Sequence, residues 1–400
     1  MIMNQYTNIF KLSIAQLITK LVDNMLLVTS IWFITSNYGK SYLTSLLVIS
    51  TLPHFFLSFF SGKFIRKYSP LRIIIITDYF RAGLFLIIIF FIIYTPLSPI
   101  VFFGTLFLSN CAAAFFNPAL LSIPLQLSAP NQLQRVISII SSTVSISSII
   151  GPILAVFFYQ IEGIKLIFII AVIGYFFAAS IEMTIKTRGV FIFTNQSKDS
   201  LQLITYIKKY QSLFNLLGLF ILINVFFIPL QLYMPLYSKF IFVGGIQSLS
   251  MMEISLGTGA LLATILLSIF RINLYERIKI MTSYLLMGVG YFLFAKSNSI
   301  LNACIALFFL SFCATIGNIF ILNFLQRYPD RSDVPGIMAC VNFASIAAAP
   351  AGLFLAGVFI NLDKIQIQVK NYALVIIVLT LVIGILFKSK RVSEESINYE

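Results

Sequence analysis

Twelve apolar runs, separated by short polar links, constrain this chain more than any other feature. They fall at approximately 9–35, 42–61, 73–94, 100–121, 136–158, 164–185, 213–237, 253–270, 278–295, 300–325, 337–360 and 372–388. A helix that crosses the hydrocarbon core of a bilayer needs roughly 20 such residues. The chain is 59% hydrophobic and only 10% charged, whereas ordinary globular domains are about 25% charged. It cannot clothe a water-soluble surface. The expected fold class is therefore an all-α membrane protein of twelve transmembrane helices. The longest hydrophilic segment, 186–212, falls midway. It divides the chain into a six-helix bundle over 1–185, a central loop over 186–212, a second six-helix bundle over 213–388 and a tail over 389–400. The first run, long and polar at its centre, reads as an uncleaved span rather than a signal peptide.

The formal charge of +14 raises the question of nucleic acid, but the placement of that charge answers it. Of the 27 Lys and Arg, eighteen lie in the links on one side, 62–72, 122–135, 186–212, 271–279, 326–336 and 388–400. Six lie on the other side: Lys40, Lys165, Lys239, Lys296, Lys364 and Lys370. Basic links stay on the cytoplasmic face. Both termini and the central loop are thus expected in the cytoplasm, in a multi-pass cytoplasmic (inner) membrane protein. The surplus charge is a topological signal, with no nucleic-acid partner implied.

The two halves echo each other. "FLSNCA" (107–112) resembles "FLSFCA" (309–314), and "GP" at 151–152 has a counterpart in "AP" at 349–350. Both matches lie about half a chain apart, which favours two duplicated six-helix pseudo-repeats. Such repeats are typical of secondary transporters, with the substrate site near the midplane between them.

Span 1 carries polar groups where they are costly. Gln16, Lys20 and Asp23 are spaced i, i+4, i+7, with Asn24 and Ser13 beside them, so they form one stripe on the helix. A charge facing lipid costs roughly 2.5–3.5 kcal/mol. One reading turns the stripe toward a water-filled cavity. The other has Lys20 and Asp23 neutralise each other at i, i+3 and fix helix packing. The first makes Asp23, with Lys20, the proton-coupling group, and Gln16 and Asn24 cavity residues. Further amides and hydroxyls offer more cavity wall: Asn110 and Asn117 in span 4, Asn224 and Gln231 in span 7, Thr315 and Asn318 in span 10, and Asn342 in span 11. The serines of span 5 read as packing groups. Asp78 and Arg81 are one turn apart in span 3, either an intrahelical pair or part of a gate, and Arg66 is a further candidate partner for Asp78. Glu182, four before Lys186, reads as a surface pair. Glu253 either suits the start of span 8 or is a second coupling acid. His54 reads as a helix contact.

Nothing marks an enzyme or a cofactor. The chain has no phosphate loop of the Gly-x-x-x-x-Gly-Lys-Ser/Thr type, and its single histidine and scattered cysteines make no metal set. Cys111, Cys304, Cys313 and Cys340 all lie in apolar runs and read as small packers.

Several strings carry a resemblance. These are "LP" (52–53), "SGKFIRKYSPLRIIIITDYFRAG" (61–83), "FFNPALLSIP" (115–124), "IIGPILA" (149–155) and "FIPLQLYMPLY" (227–237). Together they resemble the major facilitator superfamily, in the exporter branch of macrolide-efflux proteins and the enterobactin exporter. The family's loop between spans 2 and 3 reads Gly-x-x-x-Asp-Arg. Here Gly62 is kept, Lys67 stands for the Arg and Arg66 replaces the Asp. The resemblance implies a gate and conformational motif of Gly62, Arg66, Lys67, Asp78, Arg81, Gly151 and Pro152. Ser147, Gly151, Pro152 and Ala155 partly match the family's antiporter signature. The implied function is proton-coupled export of a small amphipathic compound (drug, antibiotic or siderophore) by a monomer working through alternating access. "VDNMLL" (22–27) also resembles the lysophospholipid transporters of the same superfamily, which keeps a lipid-handling transporter as the alternative. A membrane receptor or scaffold that transports nothing is the third.

Overall fold

The computed structural model describes residues 2–94, 98–127, 133–185, 211–270, 276–327 and 334–386. All its long elements are α-helices. They are α1 (Ile2–Asn37), α2 (Lys40–Lys67), α3 (Pro70–Tyr94), α4 (Pro99–Ser122), α5 (Leu133–Glu162) and α6 (Ile164–Met183). Then follow α7 in two pieces (Gln211–Phe227 and Leu230–Phe240), α8 (Gly245–Ile269), α9 (Glu276–Ala295), α10 (Ile300–Arg327), α11 (Val334–Phe359) and α12 (Ile365–Leu386). Ten stretches among the described residues are long and apolar enough to cross a membrane, and α11 adds the shorter apolar helix Ser345–Phe359.

The local chemistry explains the ends. Pro70 and Pro99 open α3 and α4, where a missing N–H costs nothing. Gly39 and Gly163 turn the chain between α1 and α2 and between α5 and α6 at φ 86° and 64°, a left-handed backbone that glycine adopts freely. Several boundaries differ from the sequence reading: α8 begins at Gly245 rather than 253 and α12 at Ile365 rather than 372, and two more have a clear local cause. Span 7 breaks at Ile228–Pro229, because Pro229 has no N–H to give to the helix ladder. The basic segment after span 2 is no loop: α2 continues to Lys67, leaving Tyr68 and Ser69 as the turn. The backbones of Gly62, Arg66 and Lys67 are thus helical, while their side chains lie outside the described residues.

Helices α1–α6 pack among themselves, chiefly α1 on α5 and α6, and α3 on α4 and α6. Helices α8–α10, α12 and both pieces of α7 pack likewise, with α11 against the first piece of α7. Large apolar side chains such as Phe90, Ile100, Phe157, Leu301 and Phe359 remain exposed on the outside. A surface of that kind fits hydrocarbon and not water. Glycines let the helices close up: a methyl group at Gly151 would overlap Asn24, and one at Gly290 would overlap Leu310. That is the small-residue packing characteristic of helices in lipid.

The two groups meet along α5 with α8, α2 with α11 and α1 with the second piece of α7. At the end carrying the 38–39, 241–244 and 360–361 turns, two lysines tie one group to the other. Lys239 Nζ donates to the carbonyls of Thr35 and Ser36 at 2.6 and 3.1 Å, and Lys40 Nζ donates to the carbonyl of Ile360 at 2.9 Å. Each caps the carbonyl end of a helix, where a cation is favoured. Thr44 packs on Gly357 beside them. Deeper in, Ser250 Oγ of α8 donates to the Pro152 carbonyl of α5 at 2.7 Å.

Candidate functional site

The polar stripe of α1 lands on four other helices of the first half, α3, α4, α5 and α6. Asp23 sits at the centre. Its Oδ2 is 3.3 Å from Lys20 Nζ, and its Oδ1 accepts from Tyr175 Oη of α6 at 2.7 Å and lies 3.5 Å from Arg81 Nη1 of α3. Lys20 also donates to Asn117 Oδ1 of α4 at 3.0 Å. Asp78 accepts from Thr19 Oγ1 at 2.8 Å and stands 3.6 Å from Arg81 Nη1. The Arg81 guanidinium lies over the rings of Phe116 and Tyr175, 4.9 and 5.4 Å from their centroids. Those aromatic faces offset part of the cost of burying a cation. Asn24 donates to Ser147 Oγ at 3.2 Å and to the Lys20 carbonyl.

Both readings of Lys20 and Asp23 therefore describe part of the geometry. The two residues do pair, yet Asp23 also opens on a cavity of about 240 Å³ within the first half. Asp23, Asn24, His54, Asn110, Asn117 and Tyr175 supply much of its polar wall, and Arg81 touches its edge. Asp23 is 30% exposed there while Arg81 is 1% exposed and Asp78 fully buried. The cavity thus has one carboxylate within reach, backed by two cations and a tyrosine hydroxyl.

Other expected cavity residues lie elsewhere. Gln16 is fully buried and does not line this cavity; its amide donates to Glu182 Oε1 of α6 at 3.2 Å. Glu182 is correspondingly no surface residue, since it too is fully buried. In the second half Asn224 donates to the Phe220 carbonyl of its own helix, and Asn318 accepts from Tyr284 Oη at 2.8 Å. Gln231 is exposed on the second piece of α7 and Thr315 is half-buried; neither lines the cavity. The Asn342 side chain lies outside the described residues. Gly151 packs against α1 and Pro152 bonds to α8, so this pair stands where the two halves meet. Glu253 does not stand at the start of span 8: α8 begins at Gly245, and Glu253 lies half-buried two turns in, one turn along from Ser250.

Tyr175 and Glu182 were missed as site residues, although their spacing carried a signal. They stand seven apart on α6, as Gln16 and Asp23 do on α1. Two antiparallel helices with matched seven-residue spacings meet at two rungs, and the structure shows Gln16 with Glu182 and Asp23 with Tyr175.

A bundle of membrane-length helices holding buried ion pairs beside a cavity has the architecture of a polytopic transporter. The chain belongs to the Major Facilitator Superfamily, whose family model matches residues 12–350. It is 25% identical over 283 residues to macrolide efflux protein A of Enterococcus faecalis, covering 66% of this chain and 87% of that protein. It is likewise 25% identical over 284 residues to macrolide efflux protein A of Streptococcus pyogenes, covering 69% of each. Among solved structures it resembles a peptide transporter, POT, with a TM-score of 0.76 at 10% identity over 94% of this chain and 93% of that one. The nucleoside transporter NupG follows at a TM-score of 0.69 and 13% identity, over 95% of this chain and 99% of that one. These structural likenesses concern the fold alone.

Proposed function

We propose that this chain is a secondary active exporter of a small amphipathic compound, driven by protons through alternating access of two six-helix halves. The observation that carries the reading is Asp23, the carboxylate of a buried ionic cluster that reaches the cavity. Both cations paired with it also serve a second partner, Lys20 with Asn117 and Arg81 with Asp78. A shift of α1 against α3 and α4 can therefore move the cations away from Asp23 without leaving them bare. Asp23 then takes a proton from one side and gives it up on the other when the cations return. Nearby amides of Asn24, Asn110 and Asn117 supply hydrogen bonds to a compound in the cavity.

The lysine ties place the halves in contact at the Lys40/Lys239 end, so this conformation is closed there. The basic asymmetry of the links supports reading that end as the outer one, so the conformation is read as closed to the outside, in a monomer of the cytoplasmic membrane. The kinship with macrolide efflux proteins supports export. No phosphate loop supplies ATP-driven work, and one charge crossing 100 mV provides about 2.3 kcal/mol.

Everted vesicles test the reading. Addition of a proton gradient is expected to drive uptake of a macrolide or a similar amphipathic dye. A well-inserted Asp23→Asn chain, unable to release a proton, is expected to lose gradient-driven uptake, and Asp23→Glu to keep part of it. Uptake at the wild-type rate by Asp23→Asn would remove the coupling role and leave Lys20–Asp23 as a packing pair.

A further inference from the structure

The interior of the first half contains a second acidic group that the Asp23 mechanism leaves unused. Glu182 on α6 is fully buried and Gln16 on α1 faces it, also fully buried. One hydrogen bond joins them, from Gln16 Nε2 to Glu182 Oε1 at 3.2 Å. The remaining oxygen of each side chain, Gln16 Oε1 and Glu182 Oε2, is buried with no hydrogen-bond partner. With Glu182 ionised, this arrangement has two bare acceptors and no proton between them. Buried polar groups are almost always satisfied, and each one left bare costs about 1–3 kcal/mol. An amide and a carboxylic acid, by contrast, pair through two reciprocal hydrogen bonds, because the amide has a spare acceptor and the acid a donor.

Charge counting points the same way. The cluster holds three carboxylates, Asp23, Asp78 and Glu182, and two cations, Lys20 and Arg81. The ion pairs of the cluster engage both cations with Asp23 and Asp78. Among the described side chains, the charged groups that act on Glu182 are Asp78 and Arg81 of α3; Gln16 of α1 is neutral, residues 136–161 of α5 carry no charged side chain, and the side chains of Arg135 and Lys186 lie outside the described residues. A lone buried carboxylate without its own cation is a costly arrangement. One proton on Glu182 removes the surplus charge and the two bare acceptors of the Gln16–Glu182 pair, while Asp78 Oδ1, also without a hydrogen bond, has the Arg81 cation 3.6 Å away.

We propose that Gln16 and Glu182 form a proton-binding site, in which Glu182 Oε2 carries the proton and donates it to Gln16 Oε1. The first half thus holds an exchangeable proton about two helical turns from Asp23 along α1. The inference deepens the proton-coupled reading above, because movement of α1 against α6 opens the pair and frees its proton to water. No bond other than O–H changes.

Infrared spectra of the full chain in lipid vesicles at neutral pH test it. The wild-type spectrum minus that of Glu182→Gln is expected to show a carboxylic-acid C=O stretch. Superimposable spectra in that region would overturn the proposal. Glu182→Gln is expected to melt close to the wild type, because a second amide reproduces both hydrogen bonds without a charge. Should that variant fail to fold, the acid is not needed as a neutral donor and the proposal falls with it. Gln16→Leu gives an independent reading: the same band should shift to higher frequency as its acceptor is lost, and an unmoved band would place the acid elsewhere. The two proposals separate cleanly. A protonated Glu182 in a chain indifferent to proton gradients would overturn the coupling and leave the site. Gradient-driven export with no acid band would overturn the site and leave the coupling.

Discussion

The two halves of the molecule solve the same packing problem with opposite chemistry. Inside the first half, Asp78, Arg81 and Glu182 are buried, and these are the buried charged residues among those described. Inside the second half the large buried polar side chains are instead neutral, amphipathic rings: Tyr233, Tyr237, Tyr284 and Tyr291 are all buried. Tyr237 Oη donates to the Ala295 carbonyl at 3.1 Å and its ring stacks on Phe294 at 4.6 Å. The echoed strings mark the divergence at one residue. Asn110 in "FLSNCA" lines the cavity of the first half, whereas Phe312 in "FLSFCA" stacks on Phe308 in the second. On the proposed coupling, the difference separates two duties. A half whose interior changes with protonation would respond to a gradient, while a half held by rings and hydroxyls would serve as a fixed body against which it moves.

The comparison can be broken most forcefully at Arg81. Arg81→Leu leaves Asp23 with one cation and Asp78 with none, and removing one partner of a buried ion pair costs about 3–5 kcal/mol. A loss of folded chain on size exclusion, with a melting temperature well below that of wild type, is the expected result; a normal melt would mean the cluster is not a structural core. A smaller effect is expected from Lys239→Met, which removes a charge-assisted bond of about 1.5–3 kcal/mol between the halves. Spin labels at the exposed Tyr42 and Val243 would then report a broader or longer distance distribution, and an unchanged one would deny the lysine its part in closure. In the second half, Tyr284→Phe deletes the bond to Asn318 and is expected to cost about 1 kcal/mol. Tyr291→Phe sits at the bottom of the scale. Its hydroxyl is buried without a partner, so stability should hold or rise by up to about 1 kcal/mol. A large loss from either tyrosine would show that the second half, too, depends on a polar network.

How far the sequence foreshadowed this depends on what periodicity can see. Apolar runs and basic links report the medium around each helix, so the all-helical, membrane-length architecture was legible from them. Periodicity along α1 likewise exposed the Gln16–Lys20–Asp23 stripe, because one face of a helix is a property of that helix alone. Partners are a property of two helices. Nothing in the spacing of α1 says that Gln16 meets α6 while Asp23 meets both α3 and the cavity. Glu182 was misread for a related reason: Lys186 four residues on offered an adequate local partner, and the burial of Glu182 comes from α1. The extension of α2 through Gly62 was obscured by the charges that follow it, which resemble a solvated link. The break in α7 was visible in Pro229, but a proline can also be accommodated inside a continuous membrane helix, as Pro152 is in α5.

The lysine ties have a consequence for how this closure would appear to genetics. Lys40 and Lys239 donate to main-chain oxygens of Ile360, Thr35 and Ser36, and every residue type presents that same oxygen. Side-chain substitutions at the receiving positions therefore leave the acceptor itself in place, and their effects would come from packing, since Thr35 and Ile360 are buried. A mutational scan would find the bond itself from its donor side. The contact also involves no carboxylate, so acidification that loads protons onto the interior of the first half leaves this seal as it was.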